Sequence, residues 1–148
     1  MAPEKLIVSN SILLGEAVLM LRNGKDVVIP TKGSSMLPFI RGERDTVTLR
    51  GMDGYAVGDI VLACINGKYV LHRIWSIDGS KVTLMGDGNL RGKEICRMED
   101  LHGAVIGINK PSGKTVDPYT SAQKRNAAIW RRLLPMRRII LGIYRRLI

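Results

Sequence analysis

The chain has 148 residues, 45% hydrophobic and 24% charged, which fits one ordinary globular domain with a core of its own and leaves little room for two. Aromatic residues make up only 5%, so stacking on nucleobases is not a theme. The net charge of +10 is not a property of the whole chain: Lys124, Arg125, Arg131, Arg132, Arg137, Arg138, Arg145 and Arg146 follow Pro118 with no acidic residue among them, and subtracting these eight leaves +2 for the first 117 residues. Basicity confined to a tail argues against a nucleic-acid-binding body. Cys64 and Cys96 match no metal spacing and no disulfide framework. The first residues, Met-Ala-Pro-Glu-Lys-Leu-Ile-Val, lack the pattern of a secretory signal, and no run approaches the ~18 apolar residues of a spanning helix. The expectation is a cytosolic chain.

In chain order, residues 9–23 predict an amphipathic helix. Ser9 or Ser11 can cap its start, Leu13, Ala17, Met20 and Leu21 recur at helical spacing, and Gly24 can end it. One short helix is too little for a helix-turn-helix reader. Strand-like runs follow at 27–30, 46–50, 59–65, 68–77, 81–85 and 104–109, with glycine at almost every gap. Asn66-Gly67 is the strongest hairpin signal and Asp78-Gly79 the next. The spacing predicts a mainly β body, a twisted antiparallel sheet or partly closed barrel, and not a βαβ fold.

Residues 110–119 read as a linker. Thr120 or Ser121 can cap a further helix, which Pro135 must kink or split. Past Pro135, Met136, Ile139, Ile140, Ile143, Tyr144 and Leu147 fall on one side at about 100° per residue. Arg137, Arg138, Arg145 and Arg146 fall on the other, with Leu141 the one apolar residue among them. The chain thus divides into a β domain with its N-terminal helix, 1–117, and a basic amphipathic helical tail, 118–148.

The stretch Gly33-Ser34-Ser35-Met36-Leu37-Pro38 suits neither helix nor strand. Glycine allows close approach, and proline fixes φ and withholds an amide, so the segment reads as a held turn presenting Ser35. Downstream stand His72, in Leu71-His72-Arg73, and Asp87, in Met85-Gly86-Asp87-Gly88-Asn89. A hydroxyl, an imidazole and a carboxylate are the parts of an activated serine nucleophile. Each is equally an ordinary turn or strand residue, and the residues alone leave both readings open.

Taken together and in order, the serine stretch, Gly58-Asp59-Ile60-Val61, His72-Arg73-Ile74 and Gly86-Asp87-Gly88-Asn89 resemble the motif boxes of type I signal peptidases. They are also similar to those of the wider serine peptidase group that includes LexA-like self-cleaving repressors. The resemblance covers residues 30–108 and implies that fold type. Bacterial leader peptidases and the repressors use lysine as general base, whereas the endoplasmic-reticulum branch uses histidine. His72 stands at that point, so the chain resembles the Ser-His branch. Lys68, four residues earlier and on the same strand face, is the alternative base. Histidine, with an ordinary pKa near ~6.5, accepts a proton at pH 7 without the burial that lysine needs.

By this resemblance Ser35 attacks, His72 moves the proton and Asp87 orients the imidazole. The Ser35 amide, with Ser34 or Gly33, holds the oxyanion. Three departures stand out: Gly33 replaces a hydroxyl two residues before the nucleophile, and Leu90-Arg91-Gly92-Lys93-Glu94 holds no further aspartate after the Gly-Asp box. The third is that no spanning segment is present. The implied activity is cleavage of a leader or signal segment from a precursor. The alternatives are a catalytically silent peptide-binding module and a self-cleaving regulator. His102 fits no box, and with no phosphate loop, zinc spacing or calcium loop, no cofactor is expected.

The C-terminal helix has three readings. As an interfacial anchor, Arg137, Arg138 and Arg145 meet anionic headgroups while Ile139 and Ile143 enter the acyl boundary, which puts the protein on the inner face of the membrane. As a phosphate-binding arm it wastes its apolar side, so nucleic acid is not an expected partner. As a docked helix it keeps its arginines solvated.

Overall fold

Short β-rich runs satisfy their backbone groups by pairing with one another. The computed structural model describes residues 3–148, with side chains from residue 13 onward. Helix α1 (Pro3–Arg22) precedes β1 (Val27–Pro30), β2 (Thr46–Arg50), β3 (Ile60–Ile65), β4 (Lys68–Asp78), β5 (Lys81–Met85) and β6 (Glu94–Arg97). Then come β7 (Leu101–Asn109), β8 (Thr115–Val116), α2 (Ser121–Arg132) and α3 (Arg137–Leu147). The strands form one antiparallel sheet in the order β1-β2-β7-β3-β4-β5-β6, with β8 added to β7. The molecule is mainly β: an open, curled sheet, or half-barrel, with three helices.

Asn66 (φ 51°) and Gly67 (φ 78°) adopt the left-handed conformation that a two-residue hairpin demands, closing the Ile65–Lys68 pair. Gly79 and Ser80 close Asp78 onto Lys81. The curl comes from bulges, where one extra residue bends its strand. Trp75 is the extra residue against β5, His102 against β3 and Ile106 against β2.

β3 is buried on both faces. Its Ile60 and Leu62 pack with Ala17, Val18 and Leu21 of α1, while Val61 and Ala63 pack with Ile74, Val82 and Leu84. A period of two sends alternate residues to the two cores. Each such side chain contributes about 1.5–3 kcal/mol when fully buried. A third cluster, Leu37, Trp130 and Leu141, joins the C-terminal helices to the body. Residues 118–148 pack on the body, against Leu37 and the Gly86–Asn89 loop, through three residues at most 6% exposed: Trp130, Arg137 and Leu141.

Several boundaries differ from expectation. α1 begins at Pro3, so neither Ser9 nor Ser11 starts it, though it ends before Gly24 as predicted. β7 begins three residues early, at Leu101. β6 was not expected, because Glu-Ile-Cys-Arg is too short and too polar to mark itself; pairing with β5 makes it a strand. β8 lies within the expected linker. The Thr120 hydroxyl caps α2 by accepting from the Gln123 amide at 3.2 Å. Pro135 splits the helical segment through a 3-10 turn, Leu134–Met136, as its missing amide requires. Among the described residues no helix is long and apolar enough to cross a membrane.

Candidate active site

The serine turn is held from two sides. Its backbone closes on itself through Leu37 N to Ser34 O (3.2 Å) and Ile40 N to Met36 O (2.9 Å). Met36 and Ile40 enter the α1 core, and Leu37 enters the Trp130 cluster. The Gly86-Asp87-Gly88 segment lies directly against this turn, with Gly88 N donating to Ser35 O at 2.8 Å. A Cβ at Gly88 would stand 2.2 Å from Ser34 O, and one at Gly86 2.4 Å from Ser35 O. Only glycine permits that approach, which is the physical reason for both glycines. Among the described residues neither the Ser34 nor the Ser35 amide donates to another protein group.

His72 sits on β4 opposite Val61 and is 8% exposed. It lines, with Ser35, a cleft of about 380 Å³ walled by Gly33, Leu62, Tyr69 and Leu71. Its Nδ1 is bonded to Oε1 of Glu94 on β6. An ionised carboxylate can only accept, so Nδ1 is the donor in this bond, and in a neutral ring that tautomer has its lone pair on Nε2. That tautomer is the one a general base needs. Lys68 stands exposed at the hairpin end of β4 and does not line the cleft.

Asp87 requires a correction. It is 3% exposed and gives its carboxylate to Arg73, at 2.9 Å to Nε and 2.8 Å to Nη2. Successive strand residues point to opposite faces, so a carboxylate paired with Arg73 lies across the sheet from the ring of His72. Arg73 also donates to the Gly58 carbonyl at 2.9 Å, and its guanidinium lies 5.0 Å from the Phe39 ring. Asp87 and Arg73 thus tie three of the four sequence boxes together beneath the serine turn. The carboxylate that meets the imidazole is Glu94. The only sequence signal for it was an acidic residue in the short window after Gly-Asp-Gly.

A second brace also went unseen. Buried Asp45 accepts the Arg41 amide and the Lys110 ammonium, each at 2.8 Å, and Lys110 reaches the Phe39 carbonyl at 3.3 Å. Nothing local links residues 65 positions apart.

Arg137 requires the other correction. It is 2% exposed, with Nη1 donating to the carbonyls of Gly86 (3.4 Å) and Asn89 (3.0 Å), so it meets no headgroup. The face of α3 that packs on the body runs through Arg137, Leu141 and Tyr144, and Leu141, the one apolar residue on the basic side, is at its centre. Arg138 and Arg145 are exposed. Ile139, Ile143 and Leu147 form an outward ridge, 60%, 57% and 80% exposed.

His102, the bulge residue of β7, is half-buried 6.5 Å from the Tyr69 ring, and burial lowers its pKa. Burial pushes the Cys96 thiol up to about 11, so it is an inert core residue. Among the described residues no group of three or more His, Cys, Asp or Glu side chains is placed to hold a metal ion.

Set against known proteins, the chain matches no family model and no curated sequence.

Proposed function

We propose that the protein is a serine endopeptidase of the Ser-His kind, similar to signal peptidases, that removes a leader or signal segment from a peptide or protein precursor. One observation carries this reading: Ser35 and His72 line the same cleft, and Glu94 holds His72 Nδ1 so that Nε2 is left as a base. Ser35 Oγ would attack the scissile carbonyl as His72 takes its proton, then returns it to the leaving amine. Glu94 stabilises the imidazolium between these steps. The free amides of Ser34 and Ser35 receive the oxyanion, a contribution worth about 10²–10³ in rate per donor. The same reading puts the protein peripherally on the inner membrane face, where Arg138 and Arg145 suit anionic headgroups and the Ile139–Ile143 ridge suits the acyl boundary.

The test uses the full chain and a mixture of synthetic peptides carrying small residues at varied positions, with products read by mass spectrometry. The parent is expected to cut a subset, and Ser35→Ala none. If the two preparations cut alike, the peptidase reading fails. If peptides occupy the cleft intact, the chain is a peptide-binding module.

A further inference from the structure

Between the sheet and the C-terminal helices, beside Arg73, Ile74 and Trp75 of β4, lies a cavity of about 600 Å³. It shares no lining residue with the Ser35–His72 cleft. Its body-side walls are mostly apolar, formed by Tyr55, Val57, Ile60, Trp75 and Met85. Ala127 and Ala128 of α2 line the other side, and their single methyl groups leave the space open.

Arg137 also lines this cavity; burial disfavours its charge, and the nearby Asp87 offsets that only in part. A buried guanidinium is tolerated when a carboxylate pairs with it and its donors are used. Arg137 is 2% exposed, yet among the described residues no acidic side chain pairs with it, since Asp87 gives both oxygens to Arg73. Nη1 finds two carbonyls, but Nε has no partner. The Trp130 ring, 5.2 Å away, offsets the charge only in part. The hydroxyl of Tyr119, which lines the same cavity, is buried beside the Asp59 carboxylate, and burial followed by that carboxylate pushes its pKa up. Lys124 and Arg131 add to the imbalance: the lining holds four basic side chains, counting Arg73, against Asp59 and Asp87.

We propose that this cavity binds an amphiphile with one acidic head group. The head, carboxylate or phosphate, meets Arg137, and the apolar body lies along Tyr55, Val57, Ile60, Trp75 and Met85. A charge-assisted bond satisfies the guanidinium, whereas an inorganic anion would leave the apolar walls empty. The site is independent of the peptidase reading.

The probes are laurate and dodecyl phosphate, each below its micelle threshold, titrated into the full chain by calorimetry. One molecule per chain is expected to bind. Dodecanol and acetate, each carrying half of the chemistry, should bind at least about tenfold more weakly, a difference of ~1.4 kcal/mol. Ala127→Phe fills the space from α2 without touching Arg137. It should remove binding while circular dichroism and thermal unfolding stay near parental. Arg137→Met should weaken laurate by about tenfold or more and leave dodecanol unchanged; if that variant unfolds, Ala127→Phe decides. Vesicles containing phosphatidylglycerol separate the two sources of the head. Binding that only vesicles show, and that Ala127→Phe removes, assigns it to a membrane lipid. Laurate binding equally to parent and Ala127→Phe overturns the proposal, as does the failure of every probe and vesicle.

Discussion

His72 and Arg73 are neighbours on one strand, and each meets a carboxylate, but the two faces of β4 use them differently. Arg73 is matched nearly completely: Asp87 takes two of its nitrogens and the Gly58 carbonyl a third, in a setting where Asp87 is 3% exposed. His72 is matched at one nitrogen only, by Glu94, whose carboxylate keeps 32% exposure, while the residue lines the cleft that Ser35 also lines. A saturated buried pair holds parts together, because removing either partner strands a charge. A half-used pair can do chemistry, because one site stays open to a proton. The family-like boxes point to both residues, and only the unused nitrogen separates the strut from the base we propose.

The largest effect should come from removing the open side. Ser35→Ala and His72→Ala are each expected to lower cleavage by about 10⁴-fold or more, with the double variant little worse than either, because such groups act as a unit. A double variant showing multiplied losses would separate the two residues. Lys68→Ala, by contrast, should cut normally.

Next come the two carboxylates, whose roles should exchange between assays. Glu94→Gln is expected to lower kcat by about 10²–10⁴-fold, through the wrong imidazole tautomer, while thermal unfolding stays near parental. Asp87→Asn is expected to cost about 3–5 kcal/mol in denaturant unfolding, because Arg73 is left buried without its charge. Should Asp87→Asn lose activity without losing stability, the comparison is inverted and Asp87 belongs to the chemistry.

A smaller effect concerns the two sides of α3, one packed through Arg137 and Leu141 and one exposed through Ile139 and Ile143. Ile139→Asp/Ile143→Asp should weaken sedimentation with anionic vesicles by about tenfold or more while the fold persists. Arg138→Gln/Arg145→Gln should remove about 1 kcal/mol per charge, and mainly at low salt. Vesicle binding indifferent to both pairs of changes removes the membrane reading.

The smallest effect is on stability against pH. Burial lowers the His102 pKa, so on acidification the unfolded chain takes its proton before the folded one does. Stability contributed by keeping His102 neutral is therefore present above pH ~6.5 and lost as pH falls below it. His102→Gln should flatten that acid-side decline, as read by denaturant midpoints at several pH values. An unchanged slope would assign the decline to other groups.

The sequence by itself determined what is local. Asn66-Gly67 forces a two-residue turn, Pro135 cannot continue a helix, Thr120 caps one, and alternating apolar residues in β2 and a continuous apolar run in β3 commit both to a sheet. Glycine and proline around Ser35 likewise marked a turn, since backbone chemistry needs no distant partner to be read. Tertiary structure decided everything that depends on which residues meet. His72 acquires Glu94 only because β5 and β6 fold back along β4, 22 residues on, while Asp87, nearer in sequence, is claimed by the opposite face. β6 is a strand because β5 offers it an edge. Helical periodicity separated two sides of α3 but could not say which one meets the body. Trp130 and Leu37 supply the docking surface, and it takes the boundary between the sides, burying Arg137 with Leu141 and leaving Ile139 and Ile143 outside.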